Sequence, residues 1–240
     1  MTLATLPRPA HTLKDSPMQS DAPIVAHIDE VSIQLGTKMI LNNVDLEIRK
    51  GEMLGIIGGN GTGKSTILKL LVGLLRPDHG NVTVFDTAPT GPDVLHRIGA
   101  AIDAPALYPW MSGRAVIKTV CDLRGRPSRS AAQDTLERFG LGDAGRKPVV
   151  RYSQGMKKRL ALAVASLDDP DLILLDEPTN ALDPDARGIV NDWIAELRAK
   201  GTTIVVVTHR ITEAEQCDRL VRLNADGQLV DGHPDDLRDV

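Results

Sequence analysis

Residues 58–66 constrain the fold of this chain more than any other stretch of its sequence. They match the pattern G-x-x-x-x-G-K-S/T, which binds phosphate when it lies between a strand and a helix. The apolar residues 53–57 before it predict a buried strand, and the apolar spacing over 67–75 predicts a helix. The nine residues expected to contact phosphate are Gly58, Gly59, Asn60, Gly61, Thr62, Gly63, Lys64, Ser65 and Thr66.

The residue types in this loop explain why it would bind phosphate. Glycines let the backbone turn tightly and bring its N–H groups close to phosphate oxygens. The start of the following helix adds unpaired N–H donors and the positive end of a dipole. Lys64 can reach the β- and γ-phosphates of a nucleotide, and the Ser65 hydroxyl can ligate Mg²⁺. A chance glycine turn is the alternative, and the position between strand and helix argues against it.

The composition excludes several classes of protein. The chain has 240 residues, of which 42% are hydrophobic and 25% charged, and its net charge is −4, which fits one large α/β domain or two small lobes. Its mild acidity argues against nucleic acid as the main partner. Cys121 and Cys217 lie far apart without neighbouring Cys or His, so neither a disulfide framework nor a zinc site is expected, and a reducing cytosol suits them.

Neither a secretory signal nor a membrane span is predicted. No apolar segment approaches the ~18 residues that a spanning helix needs, and the first 22 residues lack a long apolar core. Residues 1–23 carry four prolines and no periodicity, and we expect a disordered tail there. Any role at a membrane would therefore depend on a partner.

The remaining chain divides into strand-rich and helix-rich parts. Strands are predicted near residues 25–33, 44–48 and 82–85, with a turn at 36–37. A mostly helical segment is predicted between about 91 and 150, with helices near 112–124 and 130–139. A further helix is predicted from Ser153 to about residue 167. Ser153 is the predicted N-cap of this helix. Either it only caps the start of the helix, or it also presents its hydroxyl and the following backbone N–H groups to an anion.

Two further strands end in chemically active side chains. The predicted strand over residues 171–178 has a continuous aliphatic run at 172–175, followed by Asp176 and Glu177. The predicted strand over residues 203–208 has another at 204–207, and His209 follows its end. Strands buried on both faces have this composition, and the carboxyl ends of parallel strands are where ligands bind. Asp176 is expected to hold Mg²⁺ through a water, and Glu177 to polarise an attacking water as a general base. His209 is expected to contact the γ-phosphate if the strands are parallel.

The order and spacing of these motifs resemble the ATP-binding cassette (ABC) ATPase family. The resemblance covers roughly residues 24–237 and implies an α/β fold, with a P-loop NTPase core, an antiparallel β subdomain and an inserted helical subdomain at about 91–165. The ATPase domain would span 24–240. The matching segments are the phosphate loop 58–66, the signature 152–156, the strand 172–177, the D-loop 180–183 and the switch residue His209.

The resemblance also implies how the chain would work. Two cassettes stack head to tail around ATP, so that Ser153 and Gly155 contact the nucleotide held by the partner, and Asp183 lies at the seam. Glu177 activates water, His209 senses the γ-phosphate and Lys64 binds it. Hydrolysis then moves transmembrane subunits, on separate chains, that dock on the helical insert. A peripheral position on the cytoplasmic face of the membrane follows.

Three positions depart from the family pattern. Leu35 lies where an aromatic residue usually stacks on adenine, and it offers apolar contact without stacking. Asp103 lies where a glutamine commonly contacts Mg²⁺, and it is a candidate metal ligand. Gln154 replaces a glycine of the signature. The signature region, the surroundings of Asp103 and Tyr108 are similar to cassettes of bacterial exporters for antibiotics and lantibiotic peptides.

The sequence leaves open two alternatives to a transporter subunit. A soluble ABC ATPase acting on DNA or ribosomes is one, although the 50 positions between Asp103 and Ser153 (153 − 103) leave no room for a coiled-coil arm or zinc insertion. A regulatory ATP-binding module with slow hydrolysis is the other, and the departures at Leu35 and Asp103 keep it open. The transported substrate and its direction are not readable from the sequence, because the pathway would lie in other subunits.

Overall fold

The computed structural model describes residues 22–102, 108–125 and 129–237. The predicted tail over 1–23 falls almost wholly outside these residues, and so does Asp103. At the start of the described chain, the Pro23 carbonyl accepts the Lys50 N–H at 2.8 Å. Pro23 is therefore attached to the body of the domain.

A six-stranded sheet forms the centre of the described chain. Its strands are β3 (Met53–Ile57), β5 (Ile98–Ala101), β6 (Leu172–Asp176), β7 (Thr203–Val207), β8 (Arg219–Leu223) and β9 (Leu229–Asp231). They lie side by side in the order β5-β6-β7-β3-β8-β9. Its first five strands are parallel, and β9 pairs antiparallel with β8. Every residue of β3, β6 and β7 is buried, as expected for aliphatic strands covered on both faces.

A second, antiparallel sheet packs beside the phosphate loop. It has the order β2-β1-β4, with β1 (Ile24–Leu35), β2 (Lys38–Arg49) and β4 (His79–Val84). Buried residues alternate with more exposed ones over parts of both strands, as over residues 44–48 of β2. This is the period expected for a sheet with one face on the core, and it is interrupted where the β1–β2 register shifts. The two strands are longer than predicted, because β1 and β2 pair almost up to the turn at residues 36–37.

Helices cover the sheets and form the inserted segment. The sheet helices are α1 (Lys64–Leu71), α6 (Pro184–Ala199) and α7 (Ile211–Ala214), and the inserted segment carries α2 (Pro92–Leu95), α3 (Gly113–Leu123), α4 (Arg129–Arg138) and α5 (Gln154–Ala165). Helix α1 ends at Leu71, earlier than predicted, and Leu74 is 69% exposed. The apolar spacing continued past the point where the chain turns at Gly73, whose φ is +70°.

Strand β5 was not anticipated by the prediction of a mostly helical segment from residue 91. Its four residues pair parallel with β6, and Gly99 lies against α5. A Cβ on Gly99 would lie 2.0 Å from the Ala165 carbonyl oxygen. Only a glycine allows this strand and helix to approach so closely, and four residues are too few to show strand periodicity in sequence.

The two large hydrophobic cores of the described residues lie on opposite faces of the six-stranded sheet. One joins the helical segment to one face of the large sheet, and it includes a ring contact between Phe139 and Trp193 at 5.3 Å. The other fills the space between the antiparallel sheet, α1 and the opposite face of the large sheet. The predicted phosphate loop, Asp176, Glu177 and His209 lie where the carboxyl ends of β3, β6 and β7 meet.

Candidate functional site

The phosphate loop connects β3 to α1, as predicted, and two of its glycines are required by geometry. Gly58 has φ +145°, and a Cβ there would lie 2.5 Å from the Leu223 carbonyl oxygen. Gly63 has φ +110°, and its Cβ would lie 2.6 Å from Ile40. Both values fall where other residues are strained. The loop thus turns tightly beneath the antiparallel sheet and opens into the N-terminus of α1.

Lys64 is the first residue of α1 and lies along the inside of the loop. Its Nζ donates to the carbonyl oxygens of Gly58 and Gly59, both at 2.8 Å, and the residue is only 6% exposed. Burial lowers the pKa of the Lys64 ammonium, while the carboxylates of Glu177 and Asp176 oppose this shift. A cation held this way can exchange its carbonyl partners for phosphate oxygens.

Ser65 and Asp176 meet across the site. The Ser65 hydroxyl donates to Asp176 Oδ2 at 2.6 Å, and Asp176 is 8% exposed. They come from the start of α1 and the end of β6, which are 111 residues apart in sequence. A hydroxyl and a carboxylate are hard oxygen donors of the kind that Mg²⁺ takes, usually with water and substrate phosphates completing its shell.

Glu177 follows β6 in an unusual backbone conformation. Its φ is +47°, and its N–H donates to the Val207 carbonyl at 2.9 Å. One carboxylate oxygen lies 2.8 Å from His209 Nε2, and the other accepts from Asn180 Nδ2 at 2.7 Å. Strained backbone of this kind is held only by its surroundings and is common at functional sites. The arrangement fixes both oxygens of Glu177 in direction.

A cavity of 250 Å³ gathers these groups at one edge of the sheet. His209 was expected to lie at the same sheet edge as the carboxylates if the strands were parallel. Strands β6 and β7 are parallel, and His209 lies beside Glu177. Ile40, which no sequence pattern singled out, also lines the cavity. The lining residues are Ile40, Asn60, Gly61, Gly63, Lys64, Ser65, Thr66, Asp176, Glu177 and His209.

Leu35 lies near this cavity without lining it. It ends β1, pairs with Lys38 and is 51% exposed. The Lys38 Nζ donates to the Gly61 carbonyl at 3.3 Å, so the β1–β2 hairpin reaches over the phosphate loop. Ile40 is thus the apolar residue inside the cavity, and Leu35 lies further out along the hairpin.

The signature residues lie away from this cavity. Ser153 is the N-cap of α5, because its side chain accepts the Met156 N–H at 3.2 Å, and its side chain is exposed. Gly155 packs against the D-loop, where its Cβ would lie 3.1 Å from the Ala181 carbonyl oxygen. The predicted N-cap is confirmed, and neither residue lines the cavity that holds Lys64.

Asp183 has a local role in the structure. It is the N-cap of α6 and accepts the Ala186 N–H at 2.8 Å. This hydrogen bond lowers the pKa of the Asp183 carboxyl. Its predicted position at the seam between two cassettes remains a prediction, since one chain alone is described.

Two charged residues at the site were missed by the sequence patterns. Lys158, in the signature helix, donates from Nζ to the Asp176 carbonyl oxygen and so joins α5 to the end of β6. Glu213 is buried behind His209 and accepts hydrogen bonds from Thr179 and Thr208. A single charged residue carries no periodic signal in the sequence. Only the packing shows that Lys158 and Glu213 lie beside the site.

Comparison with protein families identifies residues 41–180 as an ABC transporter domain. Among curated relatives, the chain is 34% identical over 203 residues to the lantibiotic transport ATP-binding protein SrtF of Streptococcus pyogenes, covering 85% of this chain and 88% of that protein. It is 36% identical to the daunorubicin resistance ATP-binding protein DrrA3 of Streptomyces coeruleorubidus, covering 88% and 69%. It spans 65% of an uncharacterised ABC transporter ATP-binding protein, YdbJ of Bacillus subtilis, at 34% identity.

Solved structures agree with the family. The ATP-binding subunit of an ABC transporter superposes with a TM-score of 0.78 at 27% identity, covering 90% of this chain and 92% of the other. The cassette MJ0796, solved as a dimer in a post-hydrolysis state with ADP and phosphate, superposes with a TM-score of 0.77 at 27% identity, covering 86% and 98%.

These relatives favour the transporter reading over an ATPase of ribosomes or DNA. They also agree with the predicted fold and with the predicted similarity to antibiotic and lantibiotic cassettes. None of the helices within the described ranges is long and apolar enough to cross a membrane. The chain belongs to the ABC transporter family, as one of its ATP-binding and ATP-hydrolysing subunits.

Proposed function

We propose that this chain powers export across a membrane by binding and hydrolysing ATP between two copies of the cassette. The observation that carries the proposal is the 250 Å³ cavity in which Lys64, Asp176, Glu177 and His209 converge. These four side chains come from the start of α1 and the ends of β6 and β7. Together they supply a phosphate-binding cation, a metal ligand, a base and a hydrogen-bonding partner.

Mg²⁺ is the cofactor that the oxygen donors fit. Ser65 and Asp176 would hold it, since their hydroxyl and carboxylate oxygens already lie 2.6 Å apart. The ion would neutralise charge on the phosphates. Asp103, the third predicted ligand, lies outside the described residues.

Glu177 is the proposed general base. With one oxygen near His209 and the other on Asn180, the carboxylate is held in direction and can take a proton from a water aligned on the γ-phosphate. Lys64 and the backbone N–H groups of the loop hold the phosphates, so the charge that develops during transfer meets fixed donors. His209 would contact the γ-phosphate oxygen while holding Glu177.

A second cassette would complete each site. Ser153 and Gly155 lie outside the cavity of their own chain, and the Ser153 N-cap presents a helix N-terminus outward. Such a terminus suits an anion, and the γ-phosphate bound by a partner is the anion in question. Gly155 packs on the D-loop, which would transmit contact at the seam to Asn180 and Glu177.

An exposed aromatic surface is the proposed contact with the membrane subunit. Tyr108 and Trp110 are 58% and 73% exposed, and their rings lie 5.2 Å apart. Val150 is 63% exposed, and its N–H donates to the Pro109 carbonyl. Large contiguous apolar patches on a protein surface mark interaction sites. The occupant we propose is an apolar helix of a transmembrane subunit, placing the chain on the cytoplasmic face.

Export of antibiotic-like or peptide compounds is proposed from the relatives. Their names describe lantibiotic transport, daunorubicin resistance, bacitracin transport and fluoroquinolone export. Export is their shared direction where a direction is named. The compound itself would be selected by the membrane subunit.

The composite site can be tested by mixing two inactive variants. Lys64→Ala removes the ammonium group that would bind phosphate. Ser153→Arg places a large side chain at the N-terminus of α5, where the partner's nucleotide would bind. In a head-to-tail dimer of one of each, one site keeps both residues intact, so random mixing should restore roughly a quarter of wild-type hydrolysis. A mixture as inactive as its components would contradict the shared site.

The membrane contact is tested by co-purification from detergent-solubilised native membranes. A polytopic membrane protein should be captured with the wild-type chain in stoichiometric amount and lost with Trp110→Ala. Leu74→Ala is the control, because Leu74 is 69% exposed elsewhere on the surface. Equal capture by both variants would place the contact on another surface, and capture of ribosomal or nucleoid proteins in place of a membrane protein would overturn the transporter proposal.

A further inference from the structure

Glu213 is a buried carboxylate next to the site, with no part in the chemistry above. It lies in the four-residue helix α7 and is 7% exposed. Its two oxygens accept hydrogen bonds from different residues, Oε1 from the Thr179 hydroxyl and Oε2 from the Thr208 hydroxyl. Both threonines are 1% exposed, so the whole three-residue group is shielded from water.

The two threonines belong to the two segments that present the proposed base and its histidine partner. Thr179 follows Glu177 by two positions, in the loop after β6. Thr208 immediately precedes His209, after β7. The Glu213 carboxylate therefore ties together two loops whose functional side chains meet 2.8 Å apart on the other side, at His209 Nε2 and Glu177 Oε1.

The same group also fixes the backbone around His209. Thr208 Oγ1 accepts the Arg210 N–H at 3.0 Å while donating to Glu213. Arg210 Nε in turn lies 3.8 Å from Glu213 Oε1. The residues on both sides of His209 are thereby held to one carboxylate, which limits how far the imidazole can move relative to Glu177.

The cost of burying a carboxyl group argues that its two hydrogen bonds have a purpose. Burying an ionised carboxylate is costly unless it is well paired, and hydrogen bonds to it are stronger than those between neutral groups. A leucine would fill the same space without this cost. The two hydrogen bonds from hydroxyls on adjacent loops, however, fix the distance between those loops more sharply than apolar packing alone does.

We propose that Glu213 is a positioning residue for ATP hydrolysis, which holds Glu177 and His209 in register through Thr179 and Thr208. The inference rests on the proposed roles of Glu177 and His209. Small misplacement of a catalytic group is enough to cost about 100-fold in rate. Loss of Glu213 should therefore act on turnover and leave ATP binding by the phosphate loop intact.

The test compares steady-state ATP hydrolysis by full-length variants in complex with the membrane partner. Thr208→Val removes one hydroxyl at constant shape and should lower kcat about 10-fold, with KM for ATP within about twofold. Thr203→Val is the matched control, because Thr203 is equally buried at the other end of the same strand, where its hydroxyl oxygen accepts the Gly51 N–H. It should leave kcat unchanged.

Variants of Glu213 itself complete the experiment. Glu213→Ala should lower kcat about 100-fold, and Thr208→Val added to it should cost nothing more, since both remove the same interaction. Glu213→Gln keeps an acceptor and adds a donor of the same shape, so it should recover most of the rate. If Glu213→Ala fails to fold, the Thr208→Val and Glu213→Gln variants still decide the question.

The outcomes separate this inference from the proposed function. Equal effects of Thr208→Val and Thr203→Val on kcat, or a Glu213→Gln rate as low as that of Glu213→Ala, would overturn the positioning role. A wild-type complex without ATP hydrolysis would instead overturn the proposed function. The inference would be supported if Thr208→Val lowered kcat without changing KM and Thr203→Val changed neither.

Discussion

His209 Nε2 lies 2.8 Å from Glu177 Oε1, although 32 residues separate them (209 − 177). The contact exists because β6 and β7 are parallel neighbours, paired from Leu172 with Thr203 to Asp176 with Val207. Both strands end at the same level, so Glu177, one residue after β6, and His209, two residues after β7, can reach each other. The pairing of two aliphatic strands thus builds the reactive centre.

Replacing Glu177 by Gln should abolish hydrolysis while preserving ATP binding. The amide keeps the shape of the side chain but cannot accept a proton from water, and general-base catalysis contributes about 10²–10⁴-fold. The measurement is kcat beside the ATP dissociation constant. Glu215→Gln is the control, since Glu215 is exposed. Activity within threefold of wild type in Glu177→Gln would place the base elsewhere.

ATP binding should weaken as pH rises toward the lowered pKa of Lys64. Burial favours the neutral amine, whereas bound phosphates favour the ammonium and raise the pKa in the complex. Between these two pKa values the complex holds more protons than the free chain, so affinity falls with rising pH and binding takes up protons. Calorimetry in alkaline buffers of different ionisation enthalpy measures this uptake.

Lys64→Arg provides the control for this titration. A guanidinium stays protonated throughout, with a pKa above ~12, so proton uptake should disappear in the variant whatever its affinity. Undiminished uptake by Lys64→Arg would assign the titration to another group.

An aromatic residue at position 35 should tighten ATP binding if the hairpin end meets the adenine. Leu35→Phe adds a ring face to a half-exposed position on the β1–β2 hairpin, and base–aromatic stacking contributes about 1–3 kcal/mol. The expected change is a dissociation constant lowered about fivefold or more for ATP. Leu123→Phe, at an 80% exposed position on α3, is the control. Unchanged affinity in Leu35→Phe would leave Ile40 as the apolar contact for the base.

Both thiols should resist modification in the folded chain. Burial raises the pKa of Cys217 to about 12 and raises that of Cys121 above its usual range. At about pH 8 few of these groups are thiolates, which are the reactive form. A thiol-specific disulfide reagent should therefore label neither residue until denaturant is added. Rapid labelling of the native protein would contradict the packing of Cys217 against Gly55.

Gly99→Ala should destabilise the domain by separating β5 from α5. The added Cβ would meet the Ala165 carbonyl oxygen at 2.0 Å, and overpacking of this kind costs about 1–3 kcal/mol. Gly188→Ala, on an open face of α6, should instead add about 0.5–1 kcal/mol through helix propensity. Urea midpoints of the two variants measure the difference. A Gly99→Ala midpoint at or above that of wild type would mean that β5 can shift outward at no cost.

The prediction from sequence was strongest where a motif and its flanking periodicity agreed. The phosphate loop, the strand before it and the strand ending at Asp176 have the predicted positions, and Ser153 caps its helix. The prediction was weakest where an element is very short, as at β5, or where the apolar spacing continues past the end of a helix, as at Leu74. Four residues show no usable period, and a helix end depends on the turn that follows.

The sequence alone determined the chemistry available to this protein: a glycine loop with Lys64 and Ser65, two carboxylates after an aliphatic strand, and a histidine after another. Local spacing is enough for this, because each group lies within a few residues of the element that presents it. The tertiary structure decided which groups meet. The Ser65–Asp176 contact, the two partners of Glu177, Ile40 inside the cavity and the burial of Glu213 between Thr179 and Thr208 all depend on strand order and helix packing, which join residues that no local pattern relates.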